Sequence, residues 1–293
     1  MHKIIISASY RTDIPAHHAA WFKQRLAAGF CDVANPYGGP DATVPLGPDR
    51  VAGLVFWTRN IAPFEAALAA VRAQGSPFVV QFTVTGYPRA LERGVIDARV
   101  AVRQICALSR CYGRRAVVWR YDPIVLTSLT PPAWHRRNFA VLARALGGAC
   151  DEVVVSFVQI YRKTRRNLAA AAARAGFDWR DADGGVDWAE KRVLLAALTA
   201  IAAENGLRLT VCSQPEAGGT PARCIDAARL SDVAGAPITA AEHGNRPGCA
   251  CHRARDIGAY DSCVQGCVYC YAVAAPRRAA ARLRQHDPAA RKL

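Results

Sequence analysis

Six short runs of branched and aromatic residues alternate with stretches rich in alanine and leucine, and this alternation restricts the fold more than any other feature. The apolar runs span residues 4–9, 53–58, 78–85, 116–121, 152–159 and 207–212. The helical stretches between them span residues 16–28, 63–73, 97–111, 132–146 and 188–204. Strands that alternate with helices in this way predict parallel βαβ units within one sheet.

The runs are apolar throughout rather than alternately polar, which is expected when helices cover one face of a sheet and side chains fill the other. We therefore predict an α/β fold, a six-unit (βα) partial or full TIM-like barrel formed by residues 1–214. An irregular, cysteine-rich segment, 215–275, would lie over the mouth of the barrel, and a basic C-terminal tail, 276–293, would follow. Residues 162–187 interrupt the alternation as an insertion, with a turn at 181–185.

Polar and aromatic side chains stand where the predicted strands end, and in parallel βα folds this edge carries the active site. They include Arg11, Asp13, Trp57, Arg59, Arg120 and Asp122. An arginine close to an aspartate inside a protein is costly unless the two charges are paired or used. We therefore assign the two arginine–aspartate pairs to catalysis. Trp57 and Arg59 are assigned to cofactor binding, because an indole stacks on rings and a guanidinium binds carboxylates and phosphates.

The composition gives no sign of a membrane or of secretion. No run of about 18 apolar residues predicts a transmembrane helix, so we expect no membrane partner. The first seven residues lack the apolar core of a signal peptide and predict a strand instead. We therefore expect a cytoplasmic protein.

Seven of the eleven cysteines lie in the last third of the chain. They are Cys212, Cys224, Cys249, Cys251, Cys263, Cys267 and Cys270. In a cytoplasmic protein, cysteines at this density are better explained by metal binding or burial than by disulfides. The last three form a CxxxCxxC loop, and thiolates are soft ligands suited to iron–sulfur clusters or zinc. A [4Fe–4S] cluster held by only three cysteines would keep one iron open to a substrate or cofactor.

The other four cysteines of this set, at positions 212, 224, 249 and 251, allow several arrangements. Four thiolates saturate a second [4Fe–4S] cluster or a structural zinc ion. Alternatively, Cys249 or Cys251 supplies a fourth ligand to the cluster of the CxxxCxxC loop, which would then be closed to any cofactor. The remaining alternative gives them no role in metal binding. The four cysteines that lie earlier in the chain are assigned to packing.

Residues 263–272 resemble the signature of the radical S-adenosylmethionine (SAM) enzymes, in which an aromatic residue precedes the last cysteine of CxxxCxxC. The resemblance implies a [4Fe–4S] cluster whose open iron binds the amino and carboxylate groups of SAM. Reductive cleavage would yield a 5′-deoxyadenosyl radical, with Tyr269 flanking the adenine and an electron donor such as flavodoxin or ferredoxin as partner. In most of these enzymes the loop follows the first strand. Here it follows the sixth, so the chain would return over the mouth of the barrel.

Five further stretches are similar to a bacterial family of unknown function. They are residues 6–15, 55–60, 81–87, 118–124 and 256–260. That family carries a radical-SAM-like cysteine cluster at its C-terminal end, and the similarity spans nearly the whole chain. It implies membership and makes residues 215–275 an iron–sulfur module, but it does not indicate a reaction.

The net charge of +15 adds nucleic acid to the candidate partners. Basic residues cluster at 162–166 and 277–278. The competing hypothesis is therefore a zinc- or iron–sulfur-stabilised nucleic-acid-binding protein without radical chemistry. The two hypotheses merge if a radical enzyme repairs DNA or modifies RNA, and the sequence does not name the substrate.

Overall fold

The computed structural model describes residues 3–36, 38–180 and 187–293, so the turn predicted at 181–185 lies outside the described residues. The strands are β1 Ile4–Ala8, β2 Phe30–Val33, β3 Ala42–Pro45, β4 Val51–Thr58, β5 Phe78–Thr83, β6 Val117–Ile124, β7 Glu152–Phe157, β8 Arg208–Val211 and β9 Ala254–Asp256. The helices are α1 Ile14–His17, α2 Ala19–Ala28, α3 Glu65–Ala73, α4 Ala98–Tyr112, α5 Pro132–Leu146, α6 Arg162–Ala175, α7 Trp188–Glu204, α8 Ala227–Ala234 and α9 Pro276–Gln285. In this part of the chain, no helix is both long and apolar enough to cross a membrane.

Seven strands form one parallel sheet in the order β8-β7-β6-β5-β4-β1-β9, while β2 and β3 form a separate antiparallel pair. The six predicted strands lie side by side in chain order, which confirms the predicted α/β class. A full barrel would need β8 to pair with β1. That edge of β1 is taken by β9 instead, whose Ala254 and Asp256 lie opposite Ile5 and Ser7. The described residues therefore form an open sheet and not a closed barrel.

Successive strand residues point to opposite faces of the sheet, and each face has its own apolar core. One face, which we call the helix face, is covered by α2, α3, α4, α5 and α7. These helices contribute Phe22, Leu68, Ile105, Phe139 and Leu198, all of them fully buried. Burial of each such side chain stabilises the fold by about 1.5–3 kcal/mol.

The opposite face, the inner face, carries Ile5, Val55, Val79, Val118 and Val154. Helix α8 packs here through Ala227 and Leu230, although it follows β8 in the chain. It thus differs from α2, α3, α4, α5 and α7, which pack on the helix face. The irregular residues around α8 also pack on the inner face, so this face carries the cysteine-rich part of the chain.

Arg229 fixes α8 against the start of β7. Its guanidinium pairs with Asp151 Oδ1 at 2.9 Å and with Glu152 Oε2 at 2.6 Å, and its side chain is almost fully buried. Removing one partner of a buried ion pair costs about 3–5 kcal/mol, because the other charge is left unpaired. Cys224 lies just before α8, so these ion pairs also set the position of a predicted metal ligand.

The C-terminal end packs back on the beginning of the chain. Trp21 Nε1 donates to the Ala290 carbonyl at 3.0 Å, and the Asp32 N–H donates to the Arg291 carbonyl at 2.9 Å. Leu293 is buried. The pairing of β9 with β1 brings a second part of the C-terminal segment to the N-terminal strand, so the two ends of the chain lie together.

Candidate functional site

A cavity of about 500 Å³ opens at the carboxyl ends of β1, β4, β5, β6, β7 and β8. This volume lies in the range of pockets that enclose a drug-sized ligand. Every residue assigned to catalysis, cofactor binding or metal binding from the sequence lines this cavity: Arg11, Asp13, Trp57, Arg59, Arg120, Asp122, Cys212, Cys224, Cys249, Cys251, Cys263, Cys267, Tyr269 and Cys270. The fold thus brings the predicted residues around one space, while their chemical roles stay predictions.

Backbone hydrogen bonds hold the CxxxCxxC loop against the segment that follows β5. The Gly94 N–H donates to the Gln265 carbonyl at 2.8 Å, and the Val268 N–H donates to the Leu91 carbonyl at 3.0 Å. Gly266 has a φ of +71°, in the left-handed region that favours glycine. We call the three cysteines of this loop the loop thiols: Cys263, Cys267 and Cys270.

The loop thiols influence one another through charge, without a hydrogen bond between any two of them. Burial raises the pKa of each thiol, and at Cys267 it raises the pKa to about 12. Three thiolates next to one another are therefore unfavourable by themselves. A cation bound among them would reverse this, because a coordinating thiol is deprotonated outright.

Backbone N–H groups point at two of the loop thiols. The Ala272 N–H donates to Cys270 Sγ at 3.3 Å. A hydrogen bond from the Gln265 backbone lowers the pKa of Cys263 against the larger effect of burial. Such N–H···S bonds stabilise negative charge on sulfur and tune iron–sulfur sites.

Arg59, Glu92 and Tyr269 form a buried polar cluster beside Cys267. Arg59 donates from Nη1 to Glu92 Oε1 and from Nη2 to Tyr269 Oη, both at 2.8 Å. The Tyr269 hydroxyl in turn donates to the same Glu92 oxygen. Burial lowers the pKa of Arg59, but the negative charges of Cys267 and Glu92 outweigh it and hold the pKa well above its ordinary value. The Tyr269 ring is thus a fixed part of the cavity wall.

Asp13 accepts four hydrogen bonds and ties three segments together. Its Oδ1 accepts from the Thr58 hydroxyl at 2.7 Å and from the Ala16 N–H at 3.0 Å. Its Oδ2 accepts from the Arg59 N–H at 2.9 Å and from Gln265 Nε2 at 2.8 Å. Because both oxygens are occupied, these contacts are those of a positioning residue that caps α1 and connects β4 with the CxxxCxxC loop.

Arg11 is paired with Asp256 of β9 and not with Asp13, its neighbour in the sequence. Its Nε donates to Asp256 Oδ1 at 2.8 Å, and its Nη2 donates to the Asp256 carbonyl at 3.0 Å. The Asp256 carboxylate also accepts from the Ser7 and Ser9 hydroxyls, at 2.8 and 2.7 Å. This polar cluster joins the first strand to the last one.

Four cysteines from three separate stretches of chain meet at the inner wall of the cavity. We call them the inner thiols: Cys212, Cys224, Cys249 and Cys251. The Cys212 N–H donates to the Val155 carbonyl at 2.8 Å, which continues the β7–β8 ladder. Gln81 Nε2 donates to the Cys224 carbonyl at 2.8 Å. Two of the four are thus held directly against the strands of the sheet.

The inner thiols form a chain of contacts. Cys224 Sγ lies 3.7 Å from Cys212 Sγ. Further hydrogen bonds link Cys224 with Cys251, and Cys251 with Cys249. Ser213 closes the chain into a ring, because its hydroxyl lies 3.6 Å from Cys212 Sγ and also forms a hydrogen bond with Cys249.

These contacts separate the pKa values of two neighbouring inner thiols. A hydrogen bond from Cys251, helped by backbone donors, lowers the pKa of Cys249 to about 6 despite burial. At Cys251 the hydrogen bond with Cys224 lowers the pKa, but the bond with Cys249 and burial outweigh it and raise the pKa to about 11. Cys249 is therefore the thiol of this pair that ionises first.

Two guanidinium groups donate to the inner thiols. Arg120 Nη1 lies 2.9 Å from Cys224 Sγ, and Arg246 Nη2 lies 3.6 Å from Cys212 Sγ. Arg120 is also paired with Asp122. Arg246 donates to an amide oxygen as well, and among the described residues it forms no ion pair with a carboxylate. Both cations therefore face sulfur.

One face of Trp57 is covered by the Arg120 guanidinium, which lies 4.8 Å from the ring centroid. Trp57 Nε1 donates to Ser7 Oγ at 3.1 Å, which fixes the plane of the ring. A cofactor that stacks on this indole must therefore use the face opposite Arg120. Asp122 accepts from the Ser156 hydroxyl in addition to Arg120, so its two oxygens are both engaged.

Lys163 and several tyrosines line the outer part of the cavity. Lys163 Nζ lies 5.2 Å from the Tyr260 ring centroid, and within the described ranges no carboxylate forms an ion pair with it. The Tyr271 hydroxyl donates to the Tyr10 carbonyl, and the Tyr161 and Tyr271 rings are 6.5 Å apart. Tyr161 and Tyr271 are both about 40% exposed, so they form the rim.

As the side chains stand, neither group of thiols surrounds a common point. The part of the chain that the structure describes contains no group of three or more His, Cys, Asp or Glu side chains arranged to hold a metal ion. The iron–sulfur module and the second metal site inferred from the sequence thus stay predictions.

Three residues of the site were not found from the sequence. Arg246 lines the cavity, while Asp256 and Glu92 pair with arginines that line it. Gly258 lies two residues after Asp256, and the structure shows why it is a glycine: a Cβ there would lie only 2.0 Å from Ser9 Oγ. A glycine required by such a close approach indicates that this segment touches β1. Glu92 and Arg246 lie in irregular stretches, where no periodicity distinguishes a residue at the cavity from one in solvent.

The comparisons with known proteins give a family but no reaction. One family model, described as a domain of unknown function (DUF1848), matches residues 5–272. No curated protein matches the sequence. The matched residues include the sheet, both groups of thiols and the whole lining of the cavity.

Proposed function

The chain belongs to the DUF1848 family, whose function is unknown, and from this premise we propose that it is a radical SAM-type iron–sulfur enzyme. The proposal rests on one observation. The loop thiols line the same cavity as the polar carboxyl ends of six strands. A cofactor bound at these thiols would face the residues best able to bind a substrate. In this proposal the open sheet acts as a partial (βα) barrel with the CxxxCxxC loop over its mouth.

Three properties of the loop thiols fit a [4Fe–4S] cluster. Their donor set consists of thiolates, which are the ligands of such clusters. No hydrogen bond joins any two of them, so each can bind a different iron. N–H groups of Gln265 and Ala272 point at Cys263 and Cys270, where they would stabilise the charge of the bound thiolates.

When bound, the cluster would supply the electron that cleaves SAM to a 5′-deoxyadenosyl radical, which abstracts a hydrogen atom from the substrate. The residues of the chain would bind and orient the cofactor and the substrate, and they would exclude water. The Arg59–Glu92–Tyr269 cluster fixes the wall beside Cys267. Asp13, through Gln265, fixes the same loop from the side of β4.

Lys163 is the cation best placed to bind the carboxylate of SAM or an anionic group of the substrate. Three arginines at the cavity are already paired: Arg11 with Asp256, Arg59 with Glu92 and Arg120 with Asp122. Lys163 has no such partner among the described residues. Burial raises the pKa of Cys270, and Lys163 is close enough to oppose this, so its charge reaches the loop thiols.

The tyrosines at the rim would keep water from the reacting centre. The hydrogen bond between Tyr271 and the Tyr10 carbonyl joins the CxxxCxxC loop to the end of β1. Radical chemistry requires such an enclosed site, because solvent and reductants quench reactive intermediates.

Anaerobic reconstitution with iron and sulfide tests this function. We expect about four irons and four sulfides at the loop thiols. After reduction with dithionite and addition of SAM, we expect 5′-deoxyadenosine. A variant with Cys263→Ala, Cys267→Ala and Cys270→Ala should lose both the iron and the product. Cys150→Ser, at a buried thiol outside the cavity, is the matched control and should keep both.

The two parts of the proposal fail separately. If the cluster forms but SAM yields no 5′-deoxyadenosine, the radical mechanism is wrong. If the triple variant incorporates iron as well as the wild type does, the loop thiols are not its ligands.

One observation favours a second candidate function, the binding of nucleic acid without radical chemistry. The exposed arginines at the start of α6 lie beside α9, because Arg166 donates to the Ala274 carbonyl just before Arg277 and Arg278. A basic patch of this kind binds phosphates with an affinity that falls steeply with salt. This candidate predicts DNA or RNA binding that the charge reversal Arg277→Glu with Arg278→Glu weakens, in a protein that yields no 5′-deoxyadenosine.

A further inference from the structure

Negative charge on sulfur would strengthen two contacts of the inner thiols. Arg120 and Arg246 each direct a guanidinium N–H at an inner thiol, at 2.9 and 3.6 Å. A neutral thiol is only a weak acceptor, and a buried cation needs a compensating charge. Arg246 is half-buried and forms no ion pair with a carboxylate within the described residues, so a charged sulfur would add to the influence of the nearby Asp122 carboxylate. The proposed function makes no use of this arrangement.

We propose that Cys212, Cys224, Cys249 and Cys251 bind one zinc ion. Structural zinc sites hold the ion in a tetrahedron of four ligands, and four cysteines form a complete set. Four thiolates around one divalent ion carry a net charge of about −2, which explains why two guanidinium groups face the sulfurs. The site would be independent of any cluster at the loop thiols.

The spacing of the inner thiols favours a single ion over a second [4Fe–4S] cluster. With zinc–sulfur bonds of about 2.3 Å, two sulfurs of a tetrahedral site lie roughly 3.8 Å apart. The observed distance between Cys212 Sγ and Cys224 Sγ is 3.7 Å. In a cluster each thiolate binds a different iron, so the thiolates stay well apart. The loop thiols, by contrast, form no hydrogen bonds with one another.

The two ends of the thiol chain already meet at one residue. Cys212 and Cys249 both contact the Ser213 hydroxyl. Metal binding would require these side chains, with Cys249 turning from Ser213 toward Cys212, to rotate until all four sulfurs surround one point. Zinc at this point would join the end of β8, the start of α8 and the stretch before β9, which are three segments with little regular structure between them.

Metal content of the anaerobically purified full-length protein tests the site. We expect about one zinc per chain in the wild type, in Cys150→Ser and in the triple variant of the loop thiols. We expect at least a ten-fold lower zinc content in Cys224→Ser and in Cys251→Ser. Replacement of the zinc by cobalt(II) should give the visible absorption of tetrahedral thiolate coordination in the wild type and in the triple variant.

A measurement on the folded wild type covers the case in which the cysteine variants do not fold. Titration with a mercurial should release one zinc as four thiols react. The site is refuted if the triple variant keeps about half of the wild type's iron and sulfide but holds no zinc, because the inner thiols would then carry a second cluster. It is also refuted if two inner thiols are oxidised to a disulfide without metal. Either result refutes the zinc site but not the proposed radical SAM function. Zinc at the inner thiols without iron at the loop thiols would refute the radical SAM function but not the zinc site.

Discussion

The loop thiols and the inner thiols line one cavity, but the chain assembles them in different ways. The loop thiols lie within residues 263–270, and two backbone hydrogen bonds hold this loop against the segment after β5. The inner thiols come from three stretches, at 212, 224 and 249–251, which the sheet and α8 bring together. The loop thiols are close to the Arg59–Glu92–Tyr269 cluster and to Lys163, whereas the inner thiols accept hydrogen bonds from two guanidinium groups.

This difference assigns separate tasks to the two groups. A metal centre at the loop thiols would join residues that are already neighbours in the chain, so it would add chemistry more than stability. A metal ion at the inner thiols would join segments that are far apart in sequence, so it would add stability to the inner wall. Four measurements test this division of tasks.

The largest effect is expected from Cys224→Ser compared with Cys267→Ser. Loss of zinc from the inner thiols should lower the free energy of unfolding by at least about 4 kcal/mol and Tm by about 10 °C. Cys267→Ser should abolish iron incorporation while it changes the free energy of unfolding by only about 1 kcal/mol. Anaerobic thermal unfolding measures both, with Cys150→Ser as the control. Equal destabilisation by the two substitutions would contradict the division of tasks.

Acid should act on the loop through His18, whose Nε2 lies 3.3 Å from the carbonyl of Ser262, the residue before Cys263. Burial lowers the pKa of His18 from 6.5 to about 4. The unfolded chain therefore takes up this proton first, so stability present above pH 6.5 is lost as the pH falls toward 4. The loss from this one group amounts to at most about 3 kcal/mol.

Urea unfolding at pH 7 and at pH 4.5 measures this loss in the wild type and in His18→Gln. The substitution should remove the part that belongs to His18. His135 has a pKa that burial also lowers to about 4, and its contribution should remain. An unchanged pH dependence in His18→Gln would show that the loop does not sense acid through this residue.

Substitutions at two glycines should affect the two groups of thiols separately, because each glycine is required by the local backbone geometry. A Cβ at Gly244 would lie 2.4 Å from the Cys249 carbonyl oxygen. Gly244→Ala should therefore displace Cys249, cost about 2 kcal/mol and lower zinc content. Gly266→Ala introduces a side chain at a φ of +71° in the CxxxCxxC loop, and should cost about 1 kcal/mol and lower iron incorporation alone.

Gly148→Ala is the control for these glycines, because its φ of +86° carries the same backbone penalty and a Cβ there meets nothing within 4 Å. It should change neither metal. The opposite pattern, with iron lost in Gly244→Ala and zinc lost in Gly266→Ala, would show that the inner thiols bind the cluster and the loop thiols bind zinc.

The smallest effect is expected from Tyr269→Phe. The substitution removes the hydroxyl that bonds to Arg59 and Glu92 but leaves the ion pair between them. A fall of about 1 kcal/mol in the free energy of unfolding and unchanged iron incorporation should result. Tyr271→Phe at the rim serves as the control. If Tyr269→Phe lost as much iron as Cys267→Ser, the Tyr269 hydroxyl would be required for iron incorporation and not only for the structure of the cavity wall.

The sheet was predictable because its six consecutive strands are continuous apolar runs with helices between them. Helices α5 and α7 begin and end where the sequence predicted, at Pro132–Leu146 and Trp188–Glu204. Strand β9 was not predicted, because Ala254–Asp256 has three residues of which two are charged, and its conformation depends on pairing with β1. The antiparallel pair of β2 and β3 was missed as well, since both strands are short and only one residue of each is buried.

The lining of the cavity was predictable as far as topology determines it. Parallel strands end at one edge, so residues after their last positions had to lie together. Their partners were not predictable, because charge pairing follows distance in space and not in sequence. Arg11 is two residues from Asp13 but pairs with Asp256, which lies 245 residues away. In the same way, nothing local indicated that Arg246 would face Cys212.

The pairing of β9 with β1 has a consequence for synthesis on the ribosome. Strand β1 emerges before the rest of the sheet, but its outer edge and the Arg11 charge find their partner only when residue 256 has emerged. Until then the nascent chain exposes an unpaired strand edge, which is prone to aggregation and open to chaperones. A product truncated before this point would lack its edge strand and the CxxxCxxC loop together. Such a fragment would therefore be a target for proteolysis and would not act as a partly active protein.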